Sequence, residues 1–374
     1  METATERSWI ELNIENLKHN VRILREAIPP ACELMAVVKA DAYGHGACAT
    51  ATVLNQMEIT AFAVATVEEG IQLRKHGIRG EILILGYTDV KRVQDLQKYD
   101  LTQTLLDFAY AQALNSRNAA VKTHIKIDTG MHRLGISGEE ISAVRKVFEM
   151  KNLKICGIYT HLCCADSRLP EDIAFTRRQI DSFYRVTDAL KNSGIQLPKL
   201  HIQSSCGFLN YPDLVCDYVR VGIALYGVSS VPDNETVLQP ALRPVLALKS
   251  RVVLIRLIGK GDSVGYGRTF VAGRDSRIAV IPVGYGDGFP GSLSGKNVSV
   301  LINRQSVPVV GRICMDQLTV DITDAENVKV GDIVTLIGTE AEQNVAAPVV
   351  AQRADSISNE LLCRLGTRLP IVMK

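Results

Sequence analysis

No apolar run in this sequence approaches the roughly 18 residues that a membrane-spanning helix needs. The opening residues, METATERSWIELN, lack the apolar centre of a secretory leader. No CxxC pair occurs. The nine cysteines are odd in number and scattered, with Cys163 and Cys164 side by side, which argues against a disulfide framework and against a structural zinc site. An excess of charge of one sign is missing too: the net charge is +2, which leaves no electrostatic footprint for nucleic acid. Internal repeats and low-complexity linkers are absent. These exclusions point to a reducing, cytoplasmic setting, although a piece of a longer protein would carry the same features. What remains is an ordinary globular balance, 47% hydrophobic and 22% charged, over 374 residues, enough for two domains.

The first two-thirds of the chain alternates short apolar runs with helical patterns. The strand candidates are LMAVV (34–38), FAVAT (62–66), ILILG (82–86), LTQTL (101–105), HIKID (124–128), GIYTH (157–161), KLHIQ (199–203) and YVRVG (218–222). Amphipathic stretches such as Glu68–His76, Gly138–Met150 and Asp172–Ser193 lie between them. Eight strands alternating with helices over about 220 residues favour a (β/α)8 barrel over an open doubly wound sheet. From about Leu238 the texture changes to long β-branched runs separated by turn residues, with helical periodicity returning only at Val345–Leu365. The expected organisation is a barrel over residues 14–235 and a mostly-β domain over 236–374. The early strand in residues 1–13 is expected to pack with that second domain.

The ends of the barrel strands carry the chemistry. In a barrel the active face is built at the C-terminal ends of the strands. Lys39 closes strand one, DTGMHR (128–133) follows strand five, His161 ends strand six, Ser205 follows strand seven, and RVGI (220–223) lies at the end of strand eight. Each has a bland reading: a strand-ending lysine usually snorkels to water, a single histidine is more often a hydrogen-bonded rim residue, and Tyr43 alone is packing. Their joint placement on one rim changes the balance. A lysine there suits an imine with an aldehyde cofactor. Barrel phosphate sites come from the loops after strands seven and eight, where Ser205 and the amides of Gly222 and Ile223 are on offer and Tyr43 can add a phenolic donor. A phosphate, an aldehyde and a lysine together point to pyridoxal phosphate. Arg220 is the candidate partner for its ring nitrogen. Arginine donates without giving up its proton, which leaves that nitrogen neutral and favours simple proton exchange.

The stretch AVVKADAYGHG (36–46) resembles the pyridoxal-phosphate signature of bacterial alanine racemases. The resemblance continues in order through KIDTGMHRLG (126–135), GIYTHL (157–162), YVRVGIALYG (218–227), VGYGRTF (264–270), IPVGYGDGF (281–289) and GRICMDQ (311–317). It implies a barrel followed by a β domain, working as a head-to-tail homodimer whose active site is shared between subunits. It implies that Lys39 carries the cofactor and acts as one of two bases. The other base is Tyr266, supplied by the partner subunit and touched by His161, which Arg220 links to the cofactor ring. Arg133 matches an arginine beside the cofactor hydroxyl and the substrate carboxylate. Lys126 matches a lysine that is often carbamylated and holds that arginine. Met315 binds substrate carboxylate from the partner, and Tyr285 lines the entrance.

Two positions depart from the family pattern. Asn359, in ADSISNELLCRLGTR (354–368), stands where the family usually has tyrosine. Its bland reading is a cap or a water-facing amide. Its functional reading is a smaller polar group that opens room for a hydroxymethyl substrate, since apolar packing rejects an added hydroxyl by only about 10²-fold. This resembles the serine racemases of vancomycin-resistance clusters, whose racemase domain follows a membrane-embedded domain. The implied protein would then be membrane-anchored, with this chain as its cytoplasmic catalytic part. His132, where the family commonly has glycine, has no sequence-level explanation. The expected activity is racemisation of serine and alanine, yielding D-amino acids for peptidoglycan precursors. Its rivals are a housekeeping alanine racemase, a non-catalytic pyridoxal-phosphate protein on the same barrel, and a barrel decarboxylase for basic amino acids.

Overall fold

The computed structural model describes residues 6–230, 232, 235–340 and 343–374. The eight apolar runs form a parallel sheet in chain order: Glu33–Val37, Ala61–Val64, Glu81–Ile84, Thr102–Leu105, Val121–Asp128, Leu153–Tyr159, Lys199–His201 and Tyr218–Val221. The eighth strand returns to pair with the first, Val219 opposite Leu34. Between the seventh and eighth the wall is closed by single backbone bonds, Asp217 N–H to the Leu200 carbonyl (2.7 Å) and Arg220 N–H to the Gln203 carbonyl (3.1 Å). The barrel is therefore near-closed, with helices outside it. Strands such as Ala61–Val64 and Thr102–Leu105 are buried throughout, as a sheet covered on both faces requires. The sixth strand starts at Leu153, earlier than its apolar run, because polar Lys154 interrupts the hydrophobic pattern. Several runs leave the ladder before their last residues, so Lys39 and His161 sit on the rim beyond it.

The second sheet is almost wholly antiparallel. Its order is Leu254–Ile258, Ser276–Ile281, Leu318–Asp321, Gln305–Val310, Ser299–Ile302, Ile333–Glu340, Leu246–Arg251, Ser8–Leu12 and Ile371–Met373. Ser8–Leu12 runs antiparallel to Leu246–Arg251 and parallel to Ile371–Met373. The helix Ile14–Ala27 follows at once, capped by Asn13, whose side chain accepts from Asn16 N–H. Buried Asn20 on that helix donates to the Leu225 and Arg243 carbonyls and accepts from Arg243 N–H. One amide thus ties the helix to the segment leaving the barrel. Among the described residues no helix is long and apolar enough to cross a membrane.

Directly after Lys39 the backbone turns the wrong way. Ala40, Asp41, Ala42 and Tyr43 all take left-handed helical angles, with φ of 51°, 51°, 56° and 53°. Each such residue costs roughly 1–2 kcal/mol, so the turn must be held from outside. Asp41 does part of this: its side chain accepts from Ala47 N–H (2.7 Å) and its carbonyl from Gly46 N–H (2.9 Å). Glu69 does the rest. It closes the capping box of helix Val67–Lys75 with Thr66, and its Oε1 also accepts from Ala40 N–H (2.7 Å). Gly44 ends the turn at φ +78°, where an added Cβ would lie 2.2 Å from the Leu362 carbonyl oxygen. This close approach seats the turn under helix Ser358–Cys363. Gly44→Ala should therefore destabilise the chain by about 2–3 kcal/mol or more, read as a lower urea midpoint; an unchanged midpoint would show that the helix yields at no cost.

Candidate active site

The barrel mouth holds a cavity of about 480 Å³. Lys39, Tyr43, Lys126, Arg133, His161, Ser205, Arg220, Gly222, Ile223 and Asn359 all line it. Ten of the positions singled out from the sequence are thus brought to one space. Four of the lining residues are cations, Lys39, Lys126, Arg133 and Arg220, against one acid, Asp166. Such a cavity is built to take anionic groups.

Arg220 sits at its centre, 4% exposed. One guanidinium nitrogen meets the Thr160 carbonyl (2.8 Å), the Ile202 carbonyl (3.0 Å) and, at 3.4 Å, His161 Nδ1. The other meets His201 Nδ1 at 2.9 Å. Burial pushes its pKa down to about 10, which still leaves it charged near neutrality. That charge sets the state of its neighbours. Burial, then Arg220, Lys126 and Arg133, hold His161 well below the usual histidine range, so it is neutral. Burial, then Arg220 and Arg133, push the Lys126 amine down to about 8. Burial and then Arg133 also lower Lys39. Tyr159 floors the cluster: its ring lies 5.0 Å from the Arg220 guanidinium and 5.4 Å from Lys126 Nζ, and its hydroxyl meets Thr104 Oγ1 at 2.9 Å.

On the opposite wall Ser205 Oγ accepts from Gly222 N–H (3.0 Å) and from Ala224 N–H (3.4 Å). A Cβ on Gly222 would stand 2.7 Å from the Tyr43 hydroxyl, so only glycine lets that phenol lie against the backbone. Asn359 faces the cavity from helix Ser358–Cys363, and its Oδ1 is buried without a partner. Arg133 rides on a loop pinned by Asp128, whose Oδ1 accepts from Gly130 N–H and His132 N–H, both at 3.0 Å. His132 has φ +54°, and its ring reaches back to Asp128 Oδ2 at 3.2 Å. This accounts for the position: the turn needs left-handed backbone, which suits glycine, and histidine is among the residues that tolerate it.

Tyr266, Tyr285 and Met315 do not line this cavity. They are 71%, 51% and 54% exposed. Their motifs nevertheless form one surface of the β domain. Gly311 packs against Val264, and Gly265 against Arg312. Tyr285 N–H donates to the Cys314 carbonyl (3.1 Å), and Gly286 N–H to that of Met315 (2.8 Å). Sequence reasoning missed His201, Tyr159 and Glu69. The first two sit inside strand candidates as polar residues facing the barrel interior, and an inward polar residue was the available signal. Glu69 gave a capping-box pattern but no hint of its second bond to Ala40.

Comparison with known proteins agrees with this architecture. Residues 12–230 match the family described as "Alanine racemase, N-terminal domain", and residues 245–373 match "Alanine racemase, C-terminal domain". An amino-acid racemase of Enterococcus faecalis is 50% identical over 99% of this chain and 52% of its own length. A serine/alanine racemase of Enterococcus gallinarum is 39% identical over 100% of this chain and 52% of its own. The chain thus spans about half the length of these curated relatives. The solved alanine racemase of Clostridium difficile 630 superposes with a TM-score of 0.91 at 34% identity, covering 100% of this chain and 97% of the other. A barrel mouth lined by a lysine and three further cations, a β domain after it and family matches across both halves lead to one assignment: the chain belongs to the alanine racemase family.

Proposed function

We propose that the chain is a pyridoxal-phosphate-dependent racemase of serine and alanine. The observation that carries this reading is the half-buried Lys39 amine, lowered in pKa, in a cavity with three further cations and one acid. The residues present fit the cofactor. The three cations beside Lys39 suit a phosphate dianion together with a substrate carboxylate. The Gly222 cradle beside Tyr43 and Ser205 suits the phosphate, and Arg220 suits a ring nitrogen that receives a hydrogen bond. When bound, the cofactor would supply an electron sink for a carbanion at the substrate α-carbon.

The chain's own groups then divide the work. Arg133 orients the substrate carboxylate. Lys39 is both the cofactor's attachment point and the base for one face, and burial together with Arg133 lowers its pKa, which favours the free amine. Tyr266 of a second copy is the base for the other face. Its phenol would meet the substrate at the cationic mouth of this cavity. Two bases on opposite faces remove and return a proton without either having to swing around the carbon. Met315 and Tyr285 arrive on the same surface as Tyr266 and serve carboxylate binding and the entrance. Lys126, with an amine at about 8 between two arginines, is suited to carbamylation, which would exchange a buried cation for an anion facing Arg133.

Serine as a substrate is supported by Asn359 and by the serine/alanine racemase among the relatives. The unpartnered Asn359 Oδ1 offers an acceptor to a substrate hydroxyl. Supply of D-amino acids to cell-wall precursors, as in vancomycin resistance, is the role this activity would serve. A cytoplasmic catalytic domain attached to a membrane-embedded one is the corresponding arrangement. Housekeeping alanine racemisation is the second reading, favoured by the structural likeness to dedicated alanine racemases.

Three measurements test these assignments. Lys39→Ala should abolish the visible imine band and racemisation in both directions; a variant keeping both would remove the cofactor reading. Asn359→Tyr should lower the serine-to-alanine ratio of kcat/KM by about tenfold or more, and an unchanged ratio would return the chain to the housekeeping reading. The third concerns Lys126. An unfolded lysine keeps its proton to about 10.5, whereas the folded one loses it near 8. Between those values the unfolded chain binds more protons, so this group makes stability rise with pH. Lys126→Met should therefore be more stable than the parent at pH 7 in carbonate-free buffer, with the gap closing towards pH 10. Bicarbonate should narrow the gap at pH 7–8 if the carbamate forms.

A further inference from the structure

Below the cavity the barrel interior is not apolar. A line of polar side chains runs from Arg220 at the rim to the far end of the barrel. Arg220 meets His201 Nδ1 at 2.9 Å, His201 Nε2 meets His124 Nδ1 at 2.8 Å, and His124 Nε2 lies 2.8 Å from Glu81 Oε1. The last approach is close but bent away from a linear hydrogen bond. Glu81 Oε2 accepts from the Tyr218 hydroxyl (2.9 Å), which in turn accepts from Lys199 Nζ (2.7 Å). His201 and His124 are both 0% exposed.

The directions in this line are set from its two ends, a guanidinium that only donates and a carboxylate that only accepts. Arginine only donates, so His201 Nδ1 must hold a lone pair. Burial, then Arg220 and His124, keep His201 well below the usual histidine range, so it carries a single proton. That proton must be on Nε2, pointing at His124 Nδ1. His124 Nδ1 must then accept, which sends its own proton to Nε2, facing the carboxylate. Glu81 accepts from the Tyr218 hydroxyl at Oε2, while Oε1 faces His124 Nε2 at 2.8 Å without hydrogen-bond geometry. Burial pushes its carboxyl up, but His124, Tyr218 and Lys199 outweigh this and hold it below the usual range, so it is an anion.

The line has been given room. The pairing of the fifth and sixth strands shifts register between Thr123 and His124, which brings His124 opposite Gly157. A Cβ on Gly157 would stand 2.6 Å from His124 Nδ1. Tyr159 stacks on His201 at 4.6 Å and 11°, and Tyr218 meets it edge-on at 5.9 Å. A bulge, a glycine and two aromatic walls hold a pair of imidazoles in one orientation.

We infer that His201, His124 and Glu81 are positioning residues: the Glu81 carboxylate, from the end opposite Arg220, holds both imidazoles in one tautomer, and His201 thereby aims the Arg220 guanidinium at the cofactor ring. This deepens the proposed racemase reading and rests on it only for the last step. A carboxylate polarises His124, His124 polarises His201, and a more basic His201 Nδ1 grips one side of the guanidinium. The other guanidinium nitrogen is already taken by two carbonyls and His161, so the plane has no freedom left. The cofactor ring would meet a cation held at one angle and with one strength as a donor. His201 polarity, not Arg220 alone, would set how much electron density the ring can accept.

The test is nitrogen-15 NMR of the histidine-labelled full chain, with and without pyridoxal phosphate, beside the visible spectrum of the loaded enzyme. In the parent, His201 and His124 should both be neutral with the proton on Nε2, whether or not cofactor is present. A proton on Nδ1 of His201 would overturn the proposal, and that result needs neither cofactor nor turnover. Glu81→Gln keeps the size and removes the charge. Gly157→Ala displaces the His124 ring without touching a titratable group. Both should mix the His201 tautomers and shift the cofactor band. Both should lower kcat by about tenfold for each enantiomer, with KM within about twofold. Unmoved tautomers and an unmoved band in folded Glu81→Gln would sink the proposal. A parent with the expected tautomers that binds no cofactor would instead refute the racemase reading and leave the positioning line intact.

Discussion

A guanidinium sealed inside a barrel is the constraint on which the rest of this site depends. Removing such a charge from water costs several kcal/mol, and it persists only where acceptors surround it. Arg220 obtains them from strand-end carbonyls at Thr160 and Ile202 and from two histidines, which is possible because the rim is where barrel strands leave their ladders. Once that cation is fixed, its neighbours have little choice. His161 is neutral, the Lys126 amine is weakened as a base, and Tyr159 turns its ring face to both cations. The electrostatic character of the cavity therefore follows from one buried side chain and the polar line beneath it. A site of this kind is unstable towards losing any single member, because each leaves an unpaired charge or donor behind.

The left-handed turn after Lys39 is the second local cost, and its restraints explain why the lysine is placed so tightly. Four strained residues in succession are tolerated because Asp41, Glu69 and the Leu362 carbonyl fix the turn from three sides. The helix touching Gly44 is the one that carries Asn359. The cofactor-end lysine and the residue read as tuning substrate size are thus braced against each other through backbone contact. Strain here keeps Lys39 at a defined height above the Arg220 cluster and joins the barrel to the last helix of the chain.

The barrel was legible because its strands are short, apolar and regularly spaced, and because a parallel sheet buried on both faces writes itself as continuous hydrophobic runs. The rim was legible for a related reason: polar residues that end such runs stand out. Ten of the named positions line one cavity, although Lys126 and Asn359 among them were named only from the family resemblance. The left-handed turn was not legible, since KADAYG contains only one glycine and its other residues give no sign of positive φ. The histidine line was hidden differently. His124 and His201 sit in strands whose apolar neighbours dominate the pattern, and only the three-dimensional closure of the barrel brings residues 77 positions apart to 2.8 Å. His132 looked arbitrary in one dimension and is explained by a single torsion angle.

Tyr266, Tyr285 and Met315 raise a question of geometry that the cavity alone leaves open. They share an exposed surface, in a domain that also exposes Leu254, Leu257 and Val271. Large apolar and phenolic side chains left in water together usually mark a surface that another molecule covers. The cavity, for its part, is rich in cations, two of them the amines of Lys39 and Lys126. Its own phenols are already engaged, Tyr43 against the Gly222 backbone and Tyr159 under Arg220 with its hydroxyl on Thr104, so on the proposed reading the second proton carrier comes from elsewhere. On the proposed reading these two incomplete halves complement each other only between two copies of the chain. The cationic mouth would hold the anionic groups, and the exposed phenol would supply the second base. On that reading each half supplies what the other needs for proton exchange on both faces of the carbon, which is the physical argument for a shared site.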